Sequence, residues 1–247
     1  MNYKIDTPDL DPAAPGLLSA ITVIDGTGHQ LFEETKFELP LDGHNIDVPD
    51  AGVEKDFDKL DEPISTVLFQ QYRGAESPIL LGEDTKGMVN DAYDRGETYA
   101  VERKIQELVL NPVAVDITPT PGTPVTNHKL AIGLLEQYAR DTSTFKPYIT
   151  GNALAITVVQ DFIPKLETIF GTTVSLAGGY GATGPGGRVA AAGQAWLYVH
   201  GKIILWRGPS DAEEVAKDLK ANRQYALAEG SYAAAVTNFA AAILVGI

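Results

Sequence analysis

The chain has 247 residues, 44% hydrophobic and 21% charged, with no cysteine and a formal net charge of −14. That length suffices for one large domain or two small ones, and the absence of cysteine excludes disulfides, thiolate metal sites and cysteine nucleophiles. The acidic excess is uneven: residues 1–100 hold 21 Asp and Glu against 7 Lys and Arg, a net of −14, whereas residues 101–247 hold 12 of each, and so acidic a field disfavours tight binding of nucleic acid.

Residues 1–20 read as an irregular arm. Its start, MNYKIDTPDLDPAAPG, has neither the basic opening nor the apolar run of a signal peptide. Residues 21–80 lack helical periodicity and carry short β-prone pieces at 21–24, 66–69 and 79–81 between Gly, Pro and Asp. The run from Asp42 to Pro63 is rich in carboxylates, has only Lys55 and Lys59 to offset them, and holds too little apolar surface for a core of its own. A segment of this kind suits a protein that wraps its neighbours.

The first strong helix lies in DTKGMVNDAYDRGETYAVERKIQELVLNP, where Met88, Ala92, Tyr93, Ala100, Ile105, Leu108 and Val109 recur near helical spacing. Asp84 or Asp91 is placed to cap it, Asn111-Pro112 to end it, and Arg95, Glu97, Glu102 and Lys104 fall on the wetter side. A proline-rich connection leads to a second helix over residues 128–141 with Asn127 as cap. Residues 153–159 (ALAITVV), 172–176, 195–199 and 202–206 read as strands, with a short helix near 164–170 and another over 211–220. Residues 224–247 read as strands, and the closing FAAAILVGI, far short of the ~20 apolar residues of a membrane span, as a buried final strand.

Gly179-Tyr180-Gly181-Ala182-Thr183-Gly184 spells G-x-G-x-x-G. A dinucleotide site needs a helix opening at the third glycine and an acid ~20 residues on. Here Pro185-Gly186-Gly187 follows, which stops a helix, and the later segment KIILW has no carboxylate. Without a helix N-terminus nothing holds a pyrophosphate, so the glycines are read as a loop between strands that needs positive φ and close backbone approach. No P-loop, nucleophile elbow or zinc spacing is present, and His29, His44, His128 and His200 are far apart and read as surface or loop residues. Asp56-Phe57-Asp58 and Asp61-Glu62 lack the glycine and glutamate of a calcium loop. No cofactor, metal or catalytic residue is expected.

Three stretches in order, RGETYAVERKIQ (95–106), LAGGYGATGPGGRVAAAGQAWLYVHGK (176–202) and NRQYALAEGSYAAAV (222–236), resemble the major capsid proteins of tailed bacteriophages, closest to those of phages infecting actinobacteria. The resemblance covers roughly residues 60–240. It implies an α+β, Hong Kong 97-type capsid fold. Residues 1–35 would be the N-terminal arm, 36–83 the extended β loop, and 84–124 the peripheral domain with a long spine helix at about 86–110. Residues 125–210 would be the axial domain and 211–247 the C-terminal return to the peripheral domain. The chain departs from the pattern in its shortness and in Glu229-Gly230-Ser231, where a more basic run is expected.

The function implied is a non-enzymatic structural protein that self-assembles into hexamers and pentamers of an icosahedral phage head enclosing double-stranded DNA, with a procapsid that matures. It would be assembled in the host cytoplasm and located in the virion, with scaffold, portal and decoration proteins as further partners and no sequence-specific nucleic-acid or membrane binding. Same-fold alternatives are an encapsulin-like nanocompartment or a minor shell protein. The alternative of another class is a small-molecule-binding α+β enzyme using the Gly179–Gly184 loop. Gly179, Tyr180, Gly181, Gly184, Pro185 and Arg188 are the expected axial-loop assembly contacts, so that alanine at Gly181 and Gly184 should perturb assembly. Asp56, Asp58, Arg73 and Glu76 are the expected arm and loop contacts between subunits. Some family members cross-link through a loop lysine, but no motif singles out Lys55, Lys59 or Lys86, and no cross-link is expected.

Overall fold

The computed structural model describes Leu17 and residues 21–25, 67–78, 84–159, 167–210, 212–237 and 239–247. Asp56, Asp58, Lys55, Lys59, His29 and His44 and most of the expected extended loop lie outside these residues. Of the helix expected near 164–170, residues 167–170 are described and are not helical: Glu167 forms a bridge to Thr173 and a turn follows.

Strand β1 (Thr22–Asp25) precedes β2 (Val67–Pro78) and helix α1 (Thr85–Lys104). Asp84 caps α1, its Oδ1 accepting from Gly87 N at 2.8 Å. The helix does not stop before Asn111-Pro112. It widens into a π-helical stretch, Ile105–Leu110, and runs through the short α2 (Asn111–Val113). Pro112 is accommodated in the first turn of α2, where its missing N–H costs little. Strand β3 (Val115–Asp116), helix α3 (His128–Thr142) and strand β4 (Tyr148–Gly151) follow, with Asn127 Oδ1 capping α3 through Leu130 N at 3.2 Å.

Residues 153–159, expected as a strand, form helix α4 (Ala153–Val159). Asn152 Oδ1 accepts from Ala155 N, and Ala155 and Val159, four apart, are its buried positions. Only one side of the segment meets the core, so its β-branched composition does not decide the outcome. The chain continues through β5 (Thr173–Leu176), β6 (Gln194–His200), β7 (Ile203–Arg207), β8 (Ala212–Asp218), β9 (Arg223–Val236) and β10 (Ala240–Gly246). Here too a helix expectation fails: residues 212–218 pair antiparallel with β9, from Ala212↔Ala228 to Asp218↔Arg223.

The strands build two sheets. One runs β1-β7-β9-β2, with β8 beside β9; the other runs β3-β10-β6-β4-β5. Within residues 211–247, β8 and β9 join the first sheet and β10 the second. Likewise β7, within the expected axial segment, pairs with β1 and β9 in the first sheet.

The second sheet is buried on both faces. Trp196 and Tyr198 of β6, with Ala240, Ala242 and Leu244 of β10, face one core together with Val101, Ile105 and Leu110 of the long helix. Ala195, Leu197 and Val199, with Ala241, Ile243 and Val245, face a second core under α3 and α4. This two-sided burial explains why residues 239–247 read as an unbroken apolar run. In the first sheet, Ala226 and Ala228 of β9 pack with Val89 and Tyr93 of α1. Gly230 completes that close approach, since a Cβ there would overlap the Tyr93 hydroxyl.

Candidate functional site: the polar face of the long helix

Along α1 and its π-helical extension, Glu97, Glu102, Gln106 and Asn111 project onto segments distant in sequence. Glu102 is 1% exposed. Its Oε1 accepts from Leu17 N at 2.5 Å and its Oε2 from Gly179 N at 2.8 Å. Burial pushes its carboxyl above the ordinary range, against the downward pull of the two N–H donors. The placement of Glu102 on a wetter side is thus overturned: its charge is met by backbone donors inside the protein rather than by water.

Four residues on, Gln106 reads the glycine loop. Its Oε1 accepts from Gly181 N at 2.6 Å, and its Nε2 faces the Gly181 and Thr183 carbonyls at 3.2 and 3.0 Å and the Tyr198 hydroxyl at 3.1 Å. Tyr198 donates to Asn111 Oδ1 at 2.6 Å, and Asn111 Nδ2 donates to Thr183 O at 3.0 Å. The loop between β5 and β6 is therefore fastened along its length to the helix.

Glu97 performs the same task at the first sheet. Tyr93 donates to Tyr232 at 2.6 Å, Tyr232 to Glu97 Oε1 at 2.8 Å, and Arg207 Nη1 to Glu97 Oε2 at 3.4 Å. Arg207 Nε continues to Asp25 Oδ1 at 2.7 Å, so α1, β9, β7 and β1 are joined by one chain of polar contacts. Burial pushes both tyrosine hydroxyls up, while Arg207 holds the exposed Asp25 carboxyl below its usual range.

The expected axial-loop residues divide. Gly179, Tyr180, Gly184 and Pro185 are enclosed by their own chain. A Cβ on Gly179 would overlap the Tyr99 carbonyl oxygen, and one on Gly184 the indole of Trp196. Tyr180 packs edge-on to Tyr198 at 5.6 Å. Gly181 is part-buried and Arg188 exposed, the latter paired with Asp116. The loop's outward tip is at residues 186–189, where Gly186 and Gly187 have φ of 63° and 75° and Val189 is 65% exposed. Of the arm and loop pair, Arg73 and Glu76 lie exposed on β2, and Glu76 pairs with Arg223 of the same chain at 2.7 Å. The third glycine of G-x-G-x-x-G leads into a single 3₁₀ turn, Pro185–Gly187, and not into a helix.

His200 also departs from expectation. It is 1% exposed on β6, its Nδ1 donating to Gly201 O at 2.6 Å and its Nε2 meeting Thr150 Oγ1 at 3.1 Å. Burial lowers its pKa to about 4. The unfolded chain then binds a proton that the native chain refuses, and stability falls as pH drops from ~6.5 toward 4, by at most ~1.4 kcal/mol per pH unit. Denaturant titrations at pH 6.5 and 5 should show a larger loss for the wild type than for His200→Gln; equal losses would exclude this assignment.

Sequence reasoning missed Glu102, Gln106, Glu97 and Tyr198. Glu97 and Glu102 fall with Arg95 and Lys104 on the wetter side of a helix that is polar over most of its length, so their residue types carry no signal that sets them apart. Among the described residues, no three His, Asp or Glu side chains are grouped to hold a metal, and no helix is long and apolar enough to cross a membrane.

Comparison with solved structures gives full-length likenesses at low sequence identity. The capsid of a native GTA particle matches with a TM-score of 0.59 and 10% identity, covering 100% of this chain and 96% of that one. A Mycobacterium phage Ogopogo chain matches at 0.57 with 12% identity, over 99% and 97% of the two chains. The holo-SrpI encapsulin complex of Synechococcus elongatus PCC 7942 matches at 0.55 with 12% identity, over 98% and 91%. No protein-family profile and no curated protein sequence matches the chain. The chain has the α+β, Hong Kong 97-type capsid fold.

Proposed function

We propose that this chain is the structural subunit of an icosahedral phage head, assembling into hexamers and pentamers around double-stranded DNA. The observation that carries the reading is the end-to-end likeness to capsid chains, with nearly all of each chain covered. The physical counterpart is a subunit that joins its own distant segments through one polar helix face while carrying an acid-rich stretch with little apolar surface. Such a stretch gains burial by lying on neighbouring copies, and heterologous contacts of this sort close into rings. Scaffold, portal and decoration proteins would be its further partners, and assembly would occur in the host cytoplasm.

A nanocompartment is the second reading, favoured by the encapsulin likeness. Light scattering on a sizing column with negative-stain microscopy decides the primary claim: megadalton shells, or rings of five or six subunits, are expected. A compact monomer or dimer would refute it. Shells that enclose a protein cargo instead of DNA would select the compartment. The glycine loop is expected to have no affinity for a dinucleotide, and micromolar binding by calorimetry would reopen an enzymatic reading.

A further inference from the structure

The turn that leads into β5 is braced from within. Glu167 bridges to Thr173, and between them Gly171 N donates to Thr168 O at 3.0 Å and Thr168 N to Thr172 O at 2.9 Å, with Gly171 at a φ of 86°. The Thr168 hydroxyl donates to the buried Glu136 of α3 and accepts from Phe170 N and Thr172 N, each at 3.3 Å. Arg140, one turn further along α3, donates from Nη2 to Phe170 O at 2.8 Å and lays its guanidinium 5.4 Å from the Phe170 ring centre. The centre of such a turn ordinarily carries Gly, Asn, Asp, Ser or Pro. Here it carries Ile169 and Phe170, 91% and 56% exposed, and Ile169 is the most exposed large apolar side chain among the described residues. A lone exposed apolar residue is ordinary. Two side by side on a preorganised turn, with an arginine stacked on one of them, have the composition of an interface hot spot.

We propose that the Ile169-Phe170 turn is a knob that seats on the outer face of α3 in a neighbouring copy of this chain. The proposal rests on the shell reading and names one contact within its rings. The receiving surface is the first half of α3, where Leu130, 48% exposed, shares a solvent-side stripe with Gly133 and Leu134. Gly133 makes a notch in that stripe, since no other part of the chain lies within 4 Å of where its Cβ would be. Arg140, which holds the knob, lies seven residues beyond Gly133 on the same stripe. Knob and notch therefore sit toward opposite ends of one helix, ~10 Å apart at ~1.5 Å per residue. The knob does not fill its own notch, as the exposure of Ile169 and the open space at Gly133 show. A surface with a knob at one end and a notch at the other is complementary to a copy of itself head to tail, the heterologous contact that closes into rings. The size of the knob also selects the partner. Two such side chains bury roughly 300 Å², well below the ~800 Å² per partner of an independent complex. So small a contact suits a subunit that gives and receives one knob alongside its other contacts, and not a separate protein bound at this point alone.

The test is disulfide trapping in the full-length protein, which has no cysteine of its own. Ile169→Cys is combined with Gly133→Cys in one variant and with Leu130→Cys in another, and each is oxidised under assembly conditions. A ladder of disulfide-linked oligomers on a non-reducing gel, rising to closed rings, is expected from at least one pair and from none of the single variants. Dimers formed as readily by Ile169→Cys alone would mean that knob meets knob, and would overturn α3 as the receiving surface. Ile169→Asp supplies the second measurement. Its side chain is so exposed that the thermal midpoint of the dissociated subunit should match the wild type, while the yield of assembled particles falls about ten-fold or more. An undiminished yield would overturn the knob. A wild type that stays monomeric refutes the shell reading and this contact with it, whereas wild-type shells with no ladder from either pair refute this contact alone.

Discussion

Gly184→Ala is expected to lower the stability of the chain by about 3 kcal/mol, whereas Gly181→Ala should cost less than about 1 kcal/mol. The sequence pattern treats the two glycines alike, but their surroundings differ. At Gly184 the φ of −110° is open to any residue, so strain in the backbone is not the cause. The cause is the Trp196 indole, which occupies the place of the missing Cβ. That ring is 1% exposed on β6, near the centre of the second sheet, and shares its core with Leu244 and Tyr198. It cannot swing aside without opening a core that the long helix also covers. At Gly181 the nearest atom to an added Cβ is Gln106 Oε1 at 3.8 Å, an ordinary contact. Guanidinium midpoints of the two variants, with the yield of assembled particles, measure the difference. Equal losses at both positions would show that the loop is sensitive to flexibility and not to the indole.

The parts of the fold that could be read from sequence are those where local pattern and tertiary demand agree. α3 has a capping asparagine, and Ala131, Leu135 and Ala139 recur on its buried side, so both ends and the buried face follow from spacing. β10 is apolar at every position because cores lie on both of its faces. ALAITVV misled because its β-branched residues outweigh the signal of Asn152, which caps a helix there. Residues 212–218 misled in the opposite way, since their charged, alanine-containing composition suits a helix, while β9 offers an edge that only a strand can pair.

The site was legible only in outline. The glycine loop and the segment RGETYAVERKIQ were singled out as separate landmarks, and neither points to the other. Gln106 and Gly181 lie 75 residues apart. Their meeting depends on how the π-helical stretch, the two-sided sheet and Tyr198 are stacked. A glutamate on a helix is by default a solvated residue, and nothing near Glu102 in sequence announces that two amides will close over it. Glycine, by contrast, did carry information. Gly179, Gly184 and Gly230 each stand where a backbone touches a helix, an indole or a phenol.

Glu102→Ala should destabilise the chain by about 2–5 kcal/mol, because it strands the Leu17 and Gly179 N–H groups in the interior at ~1–3 kcal/mol each. Part of that loss is offset by sparing the protein the burial of a carboxylate. The pH dependence separates this account from simple loss of packing. Burial raises the Glu102 pKa in the folded chain, so its contribution is fully present below the ordinary value of ~4.5 and is lost as pH rises through the folded value. Acidification from pH 6.5 toward 4.5 therefore strengthens the chain through Glu102 while weakening it through His200, whose folded pKa is lowered. The two slopes oppose each other in the wild type. Removing Glu102 leaves the His200 slope uncompensated, so the variant must lose stability on acidification more steeply than the wild type. A shallower slope in Glu102→Ala would mean that the native carboxyl binds its proton less readily than the unfolded one. The two backbone donors would then outweigh burial, and the carboxylate would be a net stabilising anion at neutral pH.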